Sequence, residues 1–457
     1  MADFDGYLAH DPRTDSFVAT IPTSHAFLNT RDAANFQTTT APVITSSLVV
    51  VPKSLPSPLP TLLLLNWDDG IQITSEYQVD VIRASTVGEE RRLLADRPNR
   101  VQTVKHSGLS AAEMTRTLMN LFRHGSTQVP IPLYSDHSRV TAAAINEIFC
   151  ETAYRRFFAG QRFVICDFDA NSRPQNVEWG TIQAVQSTHL VPDTPLSNVY
   201  ADGARVYPMI DAELVFRDEA DLINDELGEL FLTVREIPGP STLPPTMSGL
   251  PTGWSVYGDY PIFDASPEAS FGYKPGMLRV GTQTQQGRGH VIYAAGERPQ
   301  ATHELTYRGL SRASVWPLIE FFDSRRARLR AFWFVSPVAM WEAIAIDASS
   351  VTITGVGNLE DIEDFFDYIA IVERDGTINI RGIDNVVLVG DDFRVDFDEV
   401  LSVVPSLANI RRTTAAHLVR FEKNSMRETW TTDGICDIQF GMIELLREIE
   451  VTVICLQ

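Results

Sequence analysis

The chain uses one short block twice. Gly108-Leu109-Ser110 recurs as Gly309-Leu310-Ser311, and Arg97-Pro98 recurs as Arg298-Pro299, both 201 residues later. Farther on, Ala212-Glu213-Leu214-Val215 aligns with Ala416-His417-Leu418-Val419 at an offset of 204. Matches in one order at a nearly constant distance mark a repeated structural unit, and a repeat constrains a fold more than any composition does. A chain of 457 residues is also too long for one ordinary core. We therefore expect a tandem duplication: one β domain over 56–237, a second over 254–457, and a linker over 238–253 rich in Pro, Gly and Ser.

The two copies agree in physical pattern. Ser110 is a good N-cap and Glu113, three residues on, completes a capping box; Met114, Leu118 and Leu121 follow at helical spacing. In the second copy Ser311 caps, and Val315, Leu318, Ile319 and Phe322 make the same stripe, with Pro317 placed to kink the helix or delay its start. Strand-like runs flank each helix: RVQTVKHSG and TQVPIPLY in the first copy, HELTYRG and LRAFWFVS in the second. Further β runs such as RFVICDF and YIAIVE complete a β-rich α+β class, each copy a β-sandwich or barrel with one flanking helix. Residues 1–55 are polar, rich in Thr and Ser and without sustained period, and read as an extended N-terminal arm.

Charge excludes one large class of partner. The formal net charge is −21, whereas gripping a phosphate backbone needs clustered Lys and Arg. The first residues carry no signal-peptide pattern, and the longest apolar run, PTLLLLNW, is too short to span a bilayer, so no membrane insertion is expected. Cys150, Cys166, Cys436 and Cys455 form no C-x-x-C pair and lack a matching histidine spacing; they read as buried thiols.

Signs of catalysis are thin. Asp68-Asp69, Asp167 with Asp169, Asp391-Asp392 and Asp396 with Asp398 are paired acids of the kind glycoside hydrolysis needs, but Asp at strand ends is also ordinary turn chemistry. DFDANS, from Asp167, lacks the glycine and terminal glutamate of a calcium loop. No zinc-protease, nucleophile-elbow, Walker or dinucleotide motif is present, and GTQTQQGRGH reads as a hairpin tip. We expect no enzyme, no cofactor and no metal. Arg325, Arg326, Arg328 and Arg330 follow the second helix directly, where cations suit the helix dipole. Together with Trp333 they are also candidates for a contact between subunits, pairing with carboxylates of an acidic neighbour.

This same stretch carries a resemblance. GLSRA, a helix ending in FFDSRRAR, then AFWF and a proline resemble the distal-tail and minor tail proteins of long-tailed bacteriophages, with Ala327 where that family usually has glycine. The ERP at 297–299 and NWDDGIQITSEYQVDVI resemble further steps of the pattern, so that the likeness covers about a third of the chain. It implies two tail-tube-like β-sandwich domains in a ring at the tail tip or baseplate of a virion, assembled in the host cytoplasm. The ring would join the tail tube protein to hub or central fibre proteins and let DNA pass without specific binding. The duplication suggests a trimer with pseudo-six-fold symmetry, or failing that a hexamer, and an acidic lumen would not hold passing DNA. The alternative is a host-surface carbohydrate-binding or depolymerising tail module, with Trp254, Tyr257 and Tyr260 as sugar-stacking candidates. A soluble cellular protein of duplicated β domains would instead be a stable monomer.

Overall fold

A computed structural model describes residues 8–11, 16–19, 70–83, 89–95, 97–110, 129–169, 174–215, 220–222, 227–237, 253–264, 271–278, 281–286, 289–294, 300–355 and 366–445, with single positions at Ala112, Met114, Thr115, Met119 and Ile362. Contacts divide the chain into two units, Met1–Lys53 and Ser54–Gln457. In the first, β1 (Leu8–Asp11) and β2 (Ser16–Ala19) pair as an antiparallel hairpin. The rest of the expected N-terminal arm lies outside the described residues, as does the expected linker apart from Gly253.

The second unit is β-rich, and one α-helix is described along its whole length. Its strands fall into two sets. The first holds β3 (Ile71–Glu76), β4 (Val79–Arg83), β5 (Glu89–Leu93), β6 (Asn99–Ser110), β7 (Val129–Pro132), β8 (Ser138–Ala144), β9 (Glu147–Cys150), β10 (Arg162–Phe168), β11 (Pro174–Val185), β12 (His189–Pro192), β13 (Arg205–Leu214), β14 (Ala220–Leu222) and β15 (Leu227–Glu236). A short hairpin of β16 (Val256–Tyr257) and β17 (Tyr260–Asp264) comes between the sets. The second set holds β18 (Phe271–Leu278), β19 (Gly281–Gln286), β20 (Gly289–Ala294), β21 (Gln300–Ser311), the helix α1 (Arg312–Arg325), β22 (Phe332–Val335), β23 (Glu342–Ile346), β24 (Ser350–Thr354), β25 (Tyr368–Glu373), β26 (Ile378–Val389), β27 (Asp392–Phe397), β28 (Ile410–Phe421), β29 (Ser425–Thr432) and β30 (Ile435–Glu444).

Pairings in one set recur in the other, register included. In the first, β6 pairs with β15 (Gln102 opposite Val234), β15 with β13 (Glu236 opposite Ala212) and β13 with β7 (Ala212 opposite Val129). In the second, β21 pairs with β30 (His303 opposite Met442), β30 with β28 (Glu444 opposite Val419) and β28 with β22 (Val419 opposite Phe332). Even the irregularities match. The β8–β9 ladder slips between Val140 and Ala142, and the β23–β24 ladder slips between Ala343 and Ala345. These ladders also correct the expected alignment of Ala212 with Ala416: by hydrogen-bond register Ala212 stands where Val419 does. A three-residue match of small and apolar residues is easily met by chance, whereas a ladder fixes the phase of every side chain on the strand.

The repeated G-L-S block has a local explanation. In the β21–β30 ladder, Tyr307 opposes Ile438 and the next pair is Leu310 with Cys436, so β21 carries one extra residue. Gly309, at φ +65°, takes up that bulge, and its amide donates to Asp437 Oδ1 at 2.7 Å. Leu310 thereby returns to the core, and Ser311 caps α1, its Oγ accepting from the Ser314 amide at 3.2 Å. The β6–β15 ladder slips at the equivalent place, between Leu109 and His106. Val315, Ile319 and Phe322 of α1 are buried and Leu318 is half-buried. Pro317 sits on the exposed side, where the carbonyl it leaves without an amide partner, that of Ala313, can meet water. Of the helix expected after Ser110, only Ala112, Met114, Thr115 and Met119 are described; they are helical, and Met114 is buried as Val315 is.

Four strands of each set lie in one continuous antiparallel sheet. Its order is β14-β15-β6-β3 and then β29-β30-β21-β18. The main apolar core draws on both sets, from Ile71, Val104 and Leu232 to Phe322, Phe421 and Trp430. Each set adds a smaller core under its outer strands, around Ile148, Phe163 and Leu190 in the first and around Val351, Ile369 and Val395 in the second.

Candidate functional site: the junction between the strand sets

Besides the shared core, three polar or backbone contacts between the sets stand out among the described residues. The first is strand pairing: β3 runs antiparallel to β29, from Ile71 opposite Trp430 to Glu76 opposite Ser425. Alternation on both strands turns Ile71, Ile73 and Ser75 inward with Met426, Glu428 and Trp430. The Tyr77 amide continues the ladder by donating to Asn424 O at 2.9 Å. Gly70 opens β3 at φ +72°, and a Cβ there would lie 2.8 Å from the Trp430 carbonyl oxygen.

The second contact uses the arginine-rich turn. Arg326 and Ala327 take left-handed backbone, φ +50° and +53°, and close the end of α1; Ala327–Leu329 form one 3-10 turn. The Arg326 amide donates to Asp323 O at 3.0 Å and the Arg330 amide to Arg325 O at 3.1 Å. Onto this turn comes the β4–β5 hairpin of the other set: buried Arg91 donates to the Arg328 carbonyl, and Tyr77 donates to Asp323 Oδ1 at 3.0 Å. Burial, with the Asp323 carboxylate adding to it, keeps the Tyr77 phenol far above its usual range. Burial likewise pushes the Asp323 carboxyl up.

The third contact is a buried charge network. Arg156, from the first set, donates to Asp136 Oδ2 at 2.9 Å and to Glu428 Oε1 of the second set at 2.7 Å; all three side chains are almost wholly enclosed. Arg312, the first residue of α1, reaches Asp136 at 3.3 Å and the carbonyl of Ser135, and its guanidinium lies 4.1 Å from the Trp430 ring centre. Arg155 meets Asp433 at 3.1 Å and Glu151 at 2.8 Å, while His137 faces Asp433 at 3.6 Å. Burial would raise the Asp136 carboxyl, but Arg156 and Arg312 outweigh it and hold the group below the usual range. Burial would lower the Arg156 guanidinium, but Glu428 and Asp136 hold it well above its usual value. His137 is held down to about 4, mainly by burial, with Asp433 opposing.

Of the residues singled out in the sequence, Arg325, Arg330 and Trp333 have partners within the chain. Arg325 and Trp333 are only 6% and 4% exposed within the chain. Arg325 donates to Ser324 Oγ and Ala331 O, Arg330 to Ser324 O, and the Trp333 indole to Tyr257 O at 3.1 Å. The backbone of their turn also meets the other set, at the Arg328 carbonyl. Sequence reasoning did not single out Arg156, Asp136, Arg312, Glu428 or Asp433. One signal was present: Glu428 falls on the inward phase of an otherwise apolar strand, where the first set has Ala220.

Several of the other candidates have partners within the chain. Asp167 accepts from Asn176, Asp396 from Arg394, and Asp398 from the Gly382 amide; Asp68 and Asp69 lie outside the described residues. Among the described residues no group of three or more His, Cys, Asp or Glu could hold a metal ion. Cys150, Cys166 and Cys436 are buried free thiols, with burial raising Cys150 to about 11 and Cys166 to about 12; Cys455 lies outside the described residues. Trp254 stacks on Phe263 (5.5 Å) and packs on Phe321 (4.5 Å), and Tyr257 packs on Trp333 (5.5 Å). Those faces serve packing within the chain, while Tyr260 is 39% exposed. No helix of the described residues is long and apolar enough to cross a membrane.

No family model matches the chain, and neither does any curated protein.

Proposed function

We propose that this chain is a structural component of a bacteriophage tail tip or baseplate. It carries two tail-tube-like domains derived from a tandem duplication, and it forms a ring that joins the tail tube to the hub, fibres or receptor-binding proteins. One observation carries the reading: two four-strand units with the same internal order stand head to tail in one sheet, β14-β15-β6-β3 followed by β29-β30-β21-β18. Head-to-tail contacts are heterologous, and repeated heterologous contacts close into rings when the rotation allows. Three chains would present six related positions to a six-fold tube and three to a three-fold hub. The trimer is therefore the first expectation and the hexamer the second. The net charge of −21 suits a conduit, since an acidic lumen repels passing DNA.

The test is end-capping of assembled tail tubes from the phage that encodes the chain. Labelled protein should bind one end of each tube, and electron microscopy should show a ring with an open centre there. Binding along the tube wall, or to neither end, would sink this placement.

A further inference from the structure

The continuous sheet has two ends. At one lies β14, the first strand of the first four-strand unit; at the other lies β18, the last strand of the second. Among the described residues, β14 has register only with β15 and β18 only with β21. Inside the chain, the last strand of one unit joins the first strand of the next, β3 to β29. The outer edges are thus the same two halves of a joint that the chain already makes once.

We propose that β18 of one copy pairs antiparallel with β14 of a second copy, in the register that joins β3 to β29. The register follows from the ladders. Gln72 and Lys274 occupy equivalent places, opposite Thr103 and Glu304. Glu428 and Ala220 do too, opposite Ile438 and Leu230. Since Gln72 opposes Thr429 within the chain, Lys274 comes opposite Asp221 of the second copy, with Tyr273 opposite Leu222 and Pro275 opposite Ala220. Lys274 is 76% exposed at its side chain and meets Glu304 only at 3.8 Å. A basic residue directly across from an acidic one favours this register and this partner.

The outer joint is built to be weaker than the inner one. Tyr77 donates its amide to Asn424, so by alternation the Ile73 amide also faces β29. Pro275 stands in the place of Ile73 and has no amide to give, which removes one ladder bond from the outer joint. The charge network is missing there as well, because Glu428 and Arg312 are replaced by Ala220 and Ala111 at the equivalent positions. The inference uses strand register alone and stands whether or not the ring belongs on a phage tail.

Cysteine pairs in the full-length chain test it. Under mild oxidation, K274C/D221C should give a ladder of covalent oligomers on a non-reducing gel, ending at the size of the closed ring. Either single variant should stop at dimers, and K274C/L222C, whose second position is one residue out of this register, should not ladder. In light scattering K274D should weaken association about fivefold per joint, with D221K in the same chain restoring it. Pro275→Ile should tighten association by a similar factor. A chain that stays monomeric at every concentration, or one that assembles without linking 274 to 221, would overturn the pairing.

Discussion

Arg326 and Ala327 hold left-handed backbone at the end of α1, a conformation that costs an L-residue roughly 1–2 kcal/mol. Arg326 is the helix C-cap and half-buried, with its Nε lacking a hydrogen-bond partner. Arg326→Gly should therefore stabilise the protein by about 1 kcal/mol, read as a higher urea midpoint at unchanged slope. His303 gives a prediction of the opposite sense. Burial, helped by the charge of His417, holds it down to about 2, whereas in the unfolded chain it takes up a proton near 6.5. The stability it supports is complete above that unfolded value and is lost as pH falls below it, by up to about 1.4 kcal/mol per pH unit. His303→Gln should flatten the loss of stability between pH 6.5 and 4.5 by about that slope. Gln102 fills the equivalent place in the first set, donating to Pro132 O at 3.0 Å. An unchanged slope in denaturant titrations across this range would count against the assignment.

Among elements, β6 and β21 were legible in the sequence as the strands that lead into each G-L-S block, whereas their partners β15 and β30 were not singled out. The block also marked the helix cap, a local matter of one hydroxyl, while the bulge at its glycine shows only in the ladder. The charge network was not legible, because its partners lie 176 residues apart for Arg312 with Asp136 and 272 for Arg156 with Glu428. No periodicity brings such residues together; only the register of β3 on β29 does. The arginine burst was visible as a feature, but the hydrogen bond it accepts from Arg91 uses a backbone carbonyl, which no residue type encodes. Removing Arg156 leaves Glu428 enclosed without its guanidinium partner and Asp136 with the guanidinium of Arg312 alone. Arg156→Met should cost about 3–5 kcal/mol in thermal unfolding. Arg139→Ala, which breaks an exposed pair with Asp202, should cost less than about 1 kcal/mol.

For the whole molecule the dominant long-range force is self-repulsion. Each subunit carries a net charge of −21, and surface fields are screened over about 8 Å at physiological salt. Assembly should therefore strengthen as salt rises from about 0.05 to 0.5 M, in light scattering or sedimentation. A decline with salt would mean that local pairs such as Lys274 with Asp221 outweigh the overall field. Duplex DNA should run unretarded beside the protein even at the low-salt end, where any phosphate contact would be strongest.

The covalent link between the two four-strand units changes how such a sheet is put together. In the ring proposed above, one joint of every two forms within a single chain, where linkage keeps the partner edges at an effective concentration of order millimolar whatever the dilution. Only the remaining joints, each deprived of one amide by Pro275, depend on chains meeting. Such an assembly has half as many joints between chains as one built from separate single domains, and it is through those joints alone that protein concentration can govern when the structure closes.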